Sequence, residues 1–227
     1  YNLLMSHSVG VGNPIDPEIA TLMLILKLHA LCKGYSGIAV ETVERIMWHI
    51  ENDVIPLVPE QGSVGASGDL APLSHLFLPL IGMGKVWYKD EQFPAEEVLR
   101  KLKMKPVELG PKEGLALING TQFMAAHAVI LLEKFQNCLD HADLIAAMNL
   151  EAMMGSIKPF DEELHSLRPY AGSVYVASRM RSLLAHSQIV KSHKKCSRVQ
   201  DPYSLRCIPQ VHGASRNAWL HLKETIL

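Results

Sequence analysis

Residues 121–154 read TQFMAAHAVILLEKFQNCLDHADLIAAMNLEAMM, a stretch that contains neither proline nor glycine. Alanine, leucine, methionine and isoleucine fill so many of its positions that a helix here has to be buried on more than one side. A helix of that kind belongs inside a bundle. The stretch therefore predicts an all-α fold built from long helices.

The flanking sequence predicts further helices and one small β-hairpin. Asp16 is a typical N-cap before Pro17, apolar residues follow at helical spacing, and Gly34 is a typical C-terminal stop. A second helix is predicted from about Glu41 to Asp53, before Pro56. Other helices are expected near residues 173–186 and from residue 213 to the end, and the hairpin is expected from residues 85–88 and the stretch after residue 90.

Composition limits the classes of partner. The chain has 227 residues, 48% of them hydrophobic. Its 22 Lys and Arg against 23 Asp and Glu give a net charge of only -1, which does not favour binding to nucleic acid or anionic lipid. The basic stretch Lys191–Arg198 is interpreted as a solvated loop. No apolar run is long enough to predict a membrane span. A small molecule is the expected partner.

The cysteines and other short motifs are equally restrictive. Four widely spaced cysteines without a C-x-x-C pair favour a reducing, cytoplasmic location: Cys32, Cys138, Cys196 and Cys207. No His or Cys cluster has the spacing of zinc ligands, so no metal is expected. The segment Gly82–Lys85 lacks the length and the Ser or Thr of a phosphate-binding loop.

Residues 62–73, GSVGASGDLAPL, carry unusually many glycines directly before a predicted helix. A glycine at position 68 lets the backbone fold back, so that its amide nitrogen can attack the carbonyl carbon of Ala66. Loss of water then closes a five-membered ring, and loss of the Ser67 hydroxyl leaves a conjugated methylene, an electrophile that no unmodified side chain provides. The alternative interpretation is a plain glycine turn before a helix capped by Asp69.

The whole segment resembles the loop of the aromatic amino acid ammonia-lyases that forms the 4-methylideneimidazole-5-one (MIO) group. The resemblance implies a long-helix bundle of the ammonia-lyase and fumarase type, with MIO made from Ala66, Ser67 and Gly68. It also implies that Asp69 assists ring closure. With Asp69 as N-cap and Pro72 in the first turn, Gly68 would lie at a helix N-terminus, whose dipole favours the negative charge that develops on the ring.

Residues 194–207, KKCSRVQDPYSLRC, resemble the histidine-specific branch of that family. Asp201 can cap and Pro202 can start a short helix, so Tyr203 and Arg206 would project from one face. Arg206 then offers a planar fork to a substrate carboxylate, and Tyr203 offers a hydroxyl for orientation or proton transfer. Without the surrounding motif, Arg206 would instead be interpreted as one partner of a surface ion pair. Gln200 is a substrate-binding residue by resemblance only.

Two further residues are assigned to the site by the same resemblance. Asn119, within LINGTQ at 117–122, would lie beside the ring, although alone it would be interpreted as the N-cap of the long helix. His7, within NLLMSHSVGVG at 2–12, would contact the ring of the substrate. A histidine that hydrogen-bonds an imidazole would reject analogues that leave it unpaired.

The resemblance implies an enzyme that eliminates ammonia from L-histidine to give trans-urocanate, the first step of histidine degradation, without metal or diffusible cofactor. It implies a homotetramer with active sites shared between subunits. The chain is interpreted as a single-domain central piece of a larger protein, without the upstream catalytic Tyr loop and the C-terminal half, so the activity is expected of the whole protein. A tyrosine ammonia-lyase, a MIO-dependent aminomutase and a non-catalytic helical scaffold are the alternatives.

Overall fold

Helices dominate the computed structural model, which describes residues 1–194 and 197–226. Within these residues there are twelve α-helices: α1 Asn2–His7, α2 Pro17–Cys32, α3 Val40–Glu51, α4 Leu70–Phe77, α5 Ala95–Lys101, α6 Glu113–Ile118, α7 Gln122–Ala152, α8 Glu162–Ser166, α9 Ala171–Leu184, α10 Gln188–Ser192, α11 Tyr203–Arg206 and α12 Ile208–Ile226. Two short 3-10 helices cover Leu78–Ile81 and Lys158–Phe160. Cys196, Lys195 and the predicted helix end at Leu227 lie outside the described residues.

Five short strands form two antiparallel sheets. Strand β1 (Val11–Pro14) pairs with β3 (Pro59–Gln61), and β4 (Lys85–Tyr88) pairs with both β2 (Ile55–Pro56) and β5 (Glu91–Pro94). The predicted hairpin is thus confirmed, with Lys85 opposite Pro94 and Tyr88 opposite Glu91. The other strands have two to four residues, and each contains a proline, so they lack the alternating pattern by which strands are predicted.

The chain divides into two compact units, Tyr1–Ile130 and Leu131–Leu227, and the boundary falls inside α7. The first unit buries the apolar faces of α2 and α4 together with α6, including Met23, Phe77 and Leu117. The second unit packs α7 against α9, with Leu150, Phe160, Val176 and Met180 in its core. Each unit therefore has a hydrophobic core of its own.

Helix α2 begins and ends for the predicted reasons. The Asp16 carboxylate accepts a hydrogen bond of 2.9 Å from the Glu18 N–H, and Pro17 occupies the first helical position. Gly34 follows the end of the helix with φ +81°. That left-handed conformation favours glycine.

The long helix α7 confirms the stretch predicted from the sequence. Its residues Ala146, Ala147 and Leu150 are buried in the second unit. Other apolar side chains of α7 are exposed, including Leu131 at 56%, Ile145 at 54% and Met148 at 61%. Burial on more than one side is therefore not reached within one chain.

Candidate active site

The tripeptide Ala66-Ser67-Gly68 lies in a tight turn between β3 and α4. Gly65, Ser67 and Gly68 all have positive φ, at +67°, +61° and +92°. Positive φ is uncommon for a residue with a Cβ, so the conformation of Ser67 is strained. Ala66 and Ser67 are exposed, whereas Gly68 is half-buried. The turn therefore presents the serine outward on a backbone that is already folded back.

Gly68 is held against a second glycine that lies far along the chain. Gly68 and Gly120 form an isolated parallel bridge, and the Asp69 N–H donates to the Gly120 carbonyl at 2.8 Å. A Cβ added to Gly68 would overlap the Gly120 carbonyl oxygen and would come within 2.9 Å of its carbonyl carbon. Only glycine fits this close approach of two backbones.

Asp69 is fully buried and binds away from its own helix. It occupies the N-cap position of α4, but its side chain makes no cap hydrogen bond there. Instead Oδ1 accepts a bond of 2.7 Å from the Ser63 hydroxyl, and Oδ2 accepts a bond of 3.1 Å from the Met124 N–H. Met124 belongs to the first turn of α7, where free N–H groups and the helix dipole favour a carboxylate. The expected side-chain cap of α4 is thus a cap of α7.

Asn119 lies at the C-terminal end of α6, next to Gly120. Its Nδ2 donates to the Leu115 carbonyl at 3.2 Å, so the side chain closes α6 and does not cap α7 as an N-cap would. Its carbonyl accepts a bond of 2.5 Å from the ammonium of Lys27. The structure thus places Asn119 beside the backbone that holds Gly68.

His7 ends α1, and its loop is tied to α4. The His7 Nδ1 lies 2.9 Å from the Leu3 carbonyl and 3.0 Å from the Ser6 hydroxyl. In the tautomer that donates from Nδ1 to that carbonyl, Nε2 carries the lone pair and can accept a hydrogen bond. Three residues further on, the Gly10 N–H donates to Nε2 of His75 on α4 at 3.0 Å. Helix α4 thus follows the tripeptide and also anchors the loop that comes after His7.

Gln200, Tyr203 and Arg206 lie in the second unit, around α11. The Arg206 guanidinium carbon lies 5.4 Å from the centre of the Tyr203 ring, so the predicted common face is observed. Arg206 Nε donates to the Asp201 carbonyl at 2.9 Å, and neither Nη nitrogen has a hydrogen-bond partner within residues 1–194 and 197–226. The fork formed by these two nitrogens is therefore available to pair with an anionic group.

Asp201 does not cap α11 as predicted. Its Oδ2 accepts a bond of 2.6 Å from the Ser156 N–H, and its Oδ1 accepts one of 3.3 Å from Arg198. The carboxylate therefore ties residues 198–206 to the loop that follows α7. Pro202 occupies the N-cap position instead, and the short helix begins one residue later, at Tyr203.

A cavity of about 930 Å³ opens beside α11 in the second unit. Gln200 and Arg206 both line it, together with several other basic side chains: Lys158, Arg168, Lys194 and Arg198. Cations that converge on one cavity attract an anionic group. Asp201 also lines the cavity, but the basic side chains outnumber it, so the cavity is suited to an anionic group.

Sequence reasoning missed three residues near the tripeptide: Lys27, Ser63 and His75. For Ser63 and His75 the sequence holds no signal, because their partners are defined only by the folded chain. For Lys27 the sequence does hold a signal, because this lysine lies on the same helical stripe as the buried Ala20, Met23 and Leu31. A charge on an apolar stripe indicates a specific partner.

No group of His, Cys, Asp and Glu side chains among the described residues could hold a metal ion. In the same part of the chain, no helix combines the length and apolarity needed to cross a bilayer. Cys32, Cys138 and Cys207 are free thiols.

The comparison with known proteins gives the class. All 227 residues match the sequence model described as aromatic amino acid lyase. The chain therefore belongs to the aromatic amino acid lyase family, whose helical fold it shares.

Within that family the similar proteins include histidine ammonia-lyases. The histidine ammonia-lyase of Stigmatella aurantiaca is 51% identical over 95% of this chain and 42% of its own length. The human histidine ammonia-lyase is 47% identical over 99% of this chain and 35% of its own length. The crystal structure of histidine ammonia-lyase from Trypanosoma cruzi superposes with a TM-score of 0.84 and 40% identity, covering 96% of this chain and 40% of that one. The chain thus spans roughly two fifths of the length of these relatives.

Proposed function

We propose that the full-length protein is a histidine ammonia-lyase, which eliminates ammonia from L-histidine to give trans-urocanate. The observation that carries the proposal is the turn at Ser67 and Gly68, with positive φ at both residues and Gly68 pressed against Gly120. The similarity to histidine ammonia-lyases supports histidine as the substrate.

The residues present fit a MIO group made from Ala66, Ser67 and Gly68. Ring closure needs a backbone that folds back at position 68, and a Cβ there would fill the space against Gly120. A ring formed there would supply an electrophile for the amine of the substrate. Asp69 would support maturation by fixing the turn to Ser63 and to α7. No metal and no diffusible cofactor is proposed.

The remaining site residues bind and orient the substrate in this proposal. Arg206 pairs with its carboxylate through the two Nη nitrogens, and Gln200 lines the same cavity. The Tyr203 hydroxyl orients the substrate or transfers a proton. His7 accepts a hydrogen bond from the imidazole through Nε2, and Asn119 provides a polar amide beside the tripeptide.

We propose also that the two compact units are parts of one larger helical catalytic domain. The exposed apolar side chains of α7 support a homotetramer whose active sites combine residues of several subunits. Free cysteines support a cytoplasmic location.

The test combines mass and activity, because ring closure changes both. In the full-length protein, the peptide that contains Ser67 should lack the mass of two waters, and Ser67→Ala should retain that mass. Turnover of histidine should fall by at least roughly a thousandfold in Ser67→Ala, because the electrophile is lost, while the helical circular dichroism stays unchanged. An unmodified wild-type peptide would indicate a non-catalytic scaffold.

A panel of histidine, tyrosine and phenylalanine then decides the substrate by ultraviolet absorbance of the products. We expect histidine to have the highest kcat/KM. Faster turnover of tyrosine, or formation of a β-amino acid, would instead assign a tyrosine ammonia-lyase or an aminomutase.

A further inference from the structure

Lys27 is buried in the apolar face of α2. Its side chain is only 2% exposed, although its neighbours on the same stripe are Met23, Leu24 and Leu31. The ammonium donates one hydrogen bond, of 2.5 Å, to the Asn119 carbonyl. Within the described part of the chain it forms no ion pair with a carboxylate. A cation therefore occupies the core with one neutral carbonyl as its partner.

This arrangement is unfavourable for stability. Burial lowers the pKa of Lys27 to about 8, because an ammonium loses its hydration in the core. A buried charge without an ionised partner carries a desolvation cost, which an apolar side chain of similar size would not carry. Stability alone therefore gives no reason for a lysine at this position.

The carbonyl that Lys27 binds belongs to the peptide group that leads into Gly120. Gly120 in turn bridges Gly68, and its carbonyl accepts the Asp69 N–H at 2.8 Å. Hydrogen bonds and one peptide group therefore connect the ammonium of Lys27 to the backbone on which Gly68 rests. The donor to the Asn119 carbonyl is the charged ammonium of Lys27. A charged donor gives a stronger hydrogen bond than a neutral one.

We propose that Lys27 is a positioning residue for ring closure: it fixes the Asn119–Gly120 peptide, against which the Gly68 backbone is held for attack on Ala66. The inference rests on the proposed function. The Gly68 nitrogen forms a bond to the Ala66 carbonyl carbon, and that oxygen leaves as water with the amide protons of Gly68 and Ser67. The Ser67 hydroxyl leaves as a second water with the Cα proton of Ser67. No oxidant or reductant is needed.

The test compares Lys27→Met with Lys33→Met in the full-length protein. Lys33 is exposed at the end of the same helix, so it provides a matched control. Mass spectrometry gives the fraction of the Ser67 peptide that lacks two waters at a fixed time after purification. We expect this fraction, and histidine turnover with it, to fall by about tenfold or more in Lys27→Met, because displacement by about 1 Å can cost ~10²-fold in rate. Lys33→Met should cyclise like the wild type.

Thermal unfolding separates positioning from packing. The Tm of Lys27→Met should be unchanged or higher, since the desolvation cost of the buried ammonium is removed while cyclisation falls. Lys27→Arg, which keeps a charged donor, should cyclise more completely than Lys27→Met.

Two outcomes would overturn the inference about Lys27: wild-type cyclisation in Lys27→Met, or a lower Tm with a parallel loss of the ring, which would assign Lys27 to the core alone. A wild-type protein that keeps both waters would instead refute the proposed function, so the two failures are distinguishable.

Discussion

At the scale of single residues, two glycines of the turn before α4 share positive φ but differ in their surroundings. Gly68 is pressed against Gly120, whereas a Cβ on Gly65 would have nothing within 4 Å. Backbone strain is therefore common to both positions, and steric overlap belongs to Gly68 alone.

We predict that Gly68→Ala abolishes formation of the ring, while Gly65→Ala costs only strain of about 1 kcal/mol. Mass spectrometry of the Ser67 peptide and denaturant unfolding measure the two effects. Ring formation in Gly68→Ala at the wild-type level would contradict the close approach of residues 68 and 120.

The residue scale also shows how far the sequence predicts this site. The tripeptide could be predicted because its chemistry involves three consecutive residues. The partners of Asp69 could not, since Met124 lies 55 positions away and the contact exists only in the folded chain. Helix-capping rules assign a carboxylate to the helix that follows it, and here the long-range partner is preferred.

At the scale of elements, a buried group of charges joins three helices of the second unit. Asp143 of α7 is fully buried and accepts hydrogen bonds from His212 at 2.8 Å and from Arg216 at 2.5 Å, both on α12. Arg179 of α9 lies 3.3 Å from the same carboxylate. Removing one partner of such a buried group leaves an uncompensated charge.

We predict that Asp143→Asn lowers the free energy of unfolding by about 3–5 kcal/mol. The control is Glu162→Gln, which removes a largely exposed partner of Arg181 and should cost less than about 1 kcal/mol. Denaturant titration of both variants measures the difference. Equal losses would show that the buried charges contribute no more than the surface pair.

The carboxylate of Asp143 also makes the stability of the wild-type protein depend on pH, which is part of the same prediction. Burial alone would raise the pKa of Asp143, but the hydrogen bonds from His212 and Arg216 outweigh it and lower the pKa below its usual 3.8. The stabilisation is present above the pKa of the unfolded chain and is lost as pH falls through the folded value. Wild-type stability should therefore fall below about pH 4, and Asp143→Asn should lack this part of the fall.

The elements themselves were predicted unevenly from the sequence. Helix α2 repeats apolar residues at helical spacing, α7 is a long apolar stretch without proline or glycine, and the hairpin has a local turn. Strands such as Ile55–Pro56 have too few residues for any periodicity to be recognised. Their pairing partners lie elsewhere in the chain, so only the fold defines them.

At the scale of the whole molecule, the exposed apolar side of α7 is the surface that the proposed homotetramer would cover. Leu131, Leu144, Ile145 and Met148 are all more than 40% exposed on one helix. Monomeric proteins seldom expose that much apolar surface in one place.

We predict that the full-length protein is a tetramer by light scattering coupled to size-exclusion chromatography. Met148→Glu should shift it toward smaller species, because a charge would be buried without a partner in the interface. Glu91→Gln, on the exposed β-hairpin, is the control and should leave the mass unchanged. A monomeric wild type would contradict the prediction.

The contact between Gly68 and Gly120 has a practical consequence for anyone who wishes to redirect this enzyme family toward other amino acids. Neither Gly68 nor Gly120 can accept a side chain without steric overlap. Saturation libraries that include these two positions would therefore consist largely of inactive variants. Diversity is better directed to His7 and Gln200, the residues to which substrate binding is assigned in the proposed function. The positions that must remain glycine and the positions chosen for variation are therefore different residues, and a screen can treat them separately.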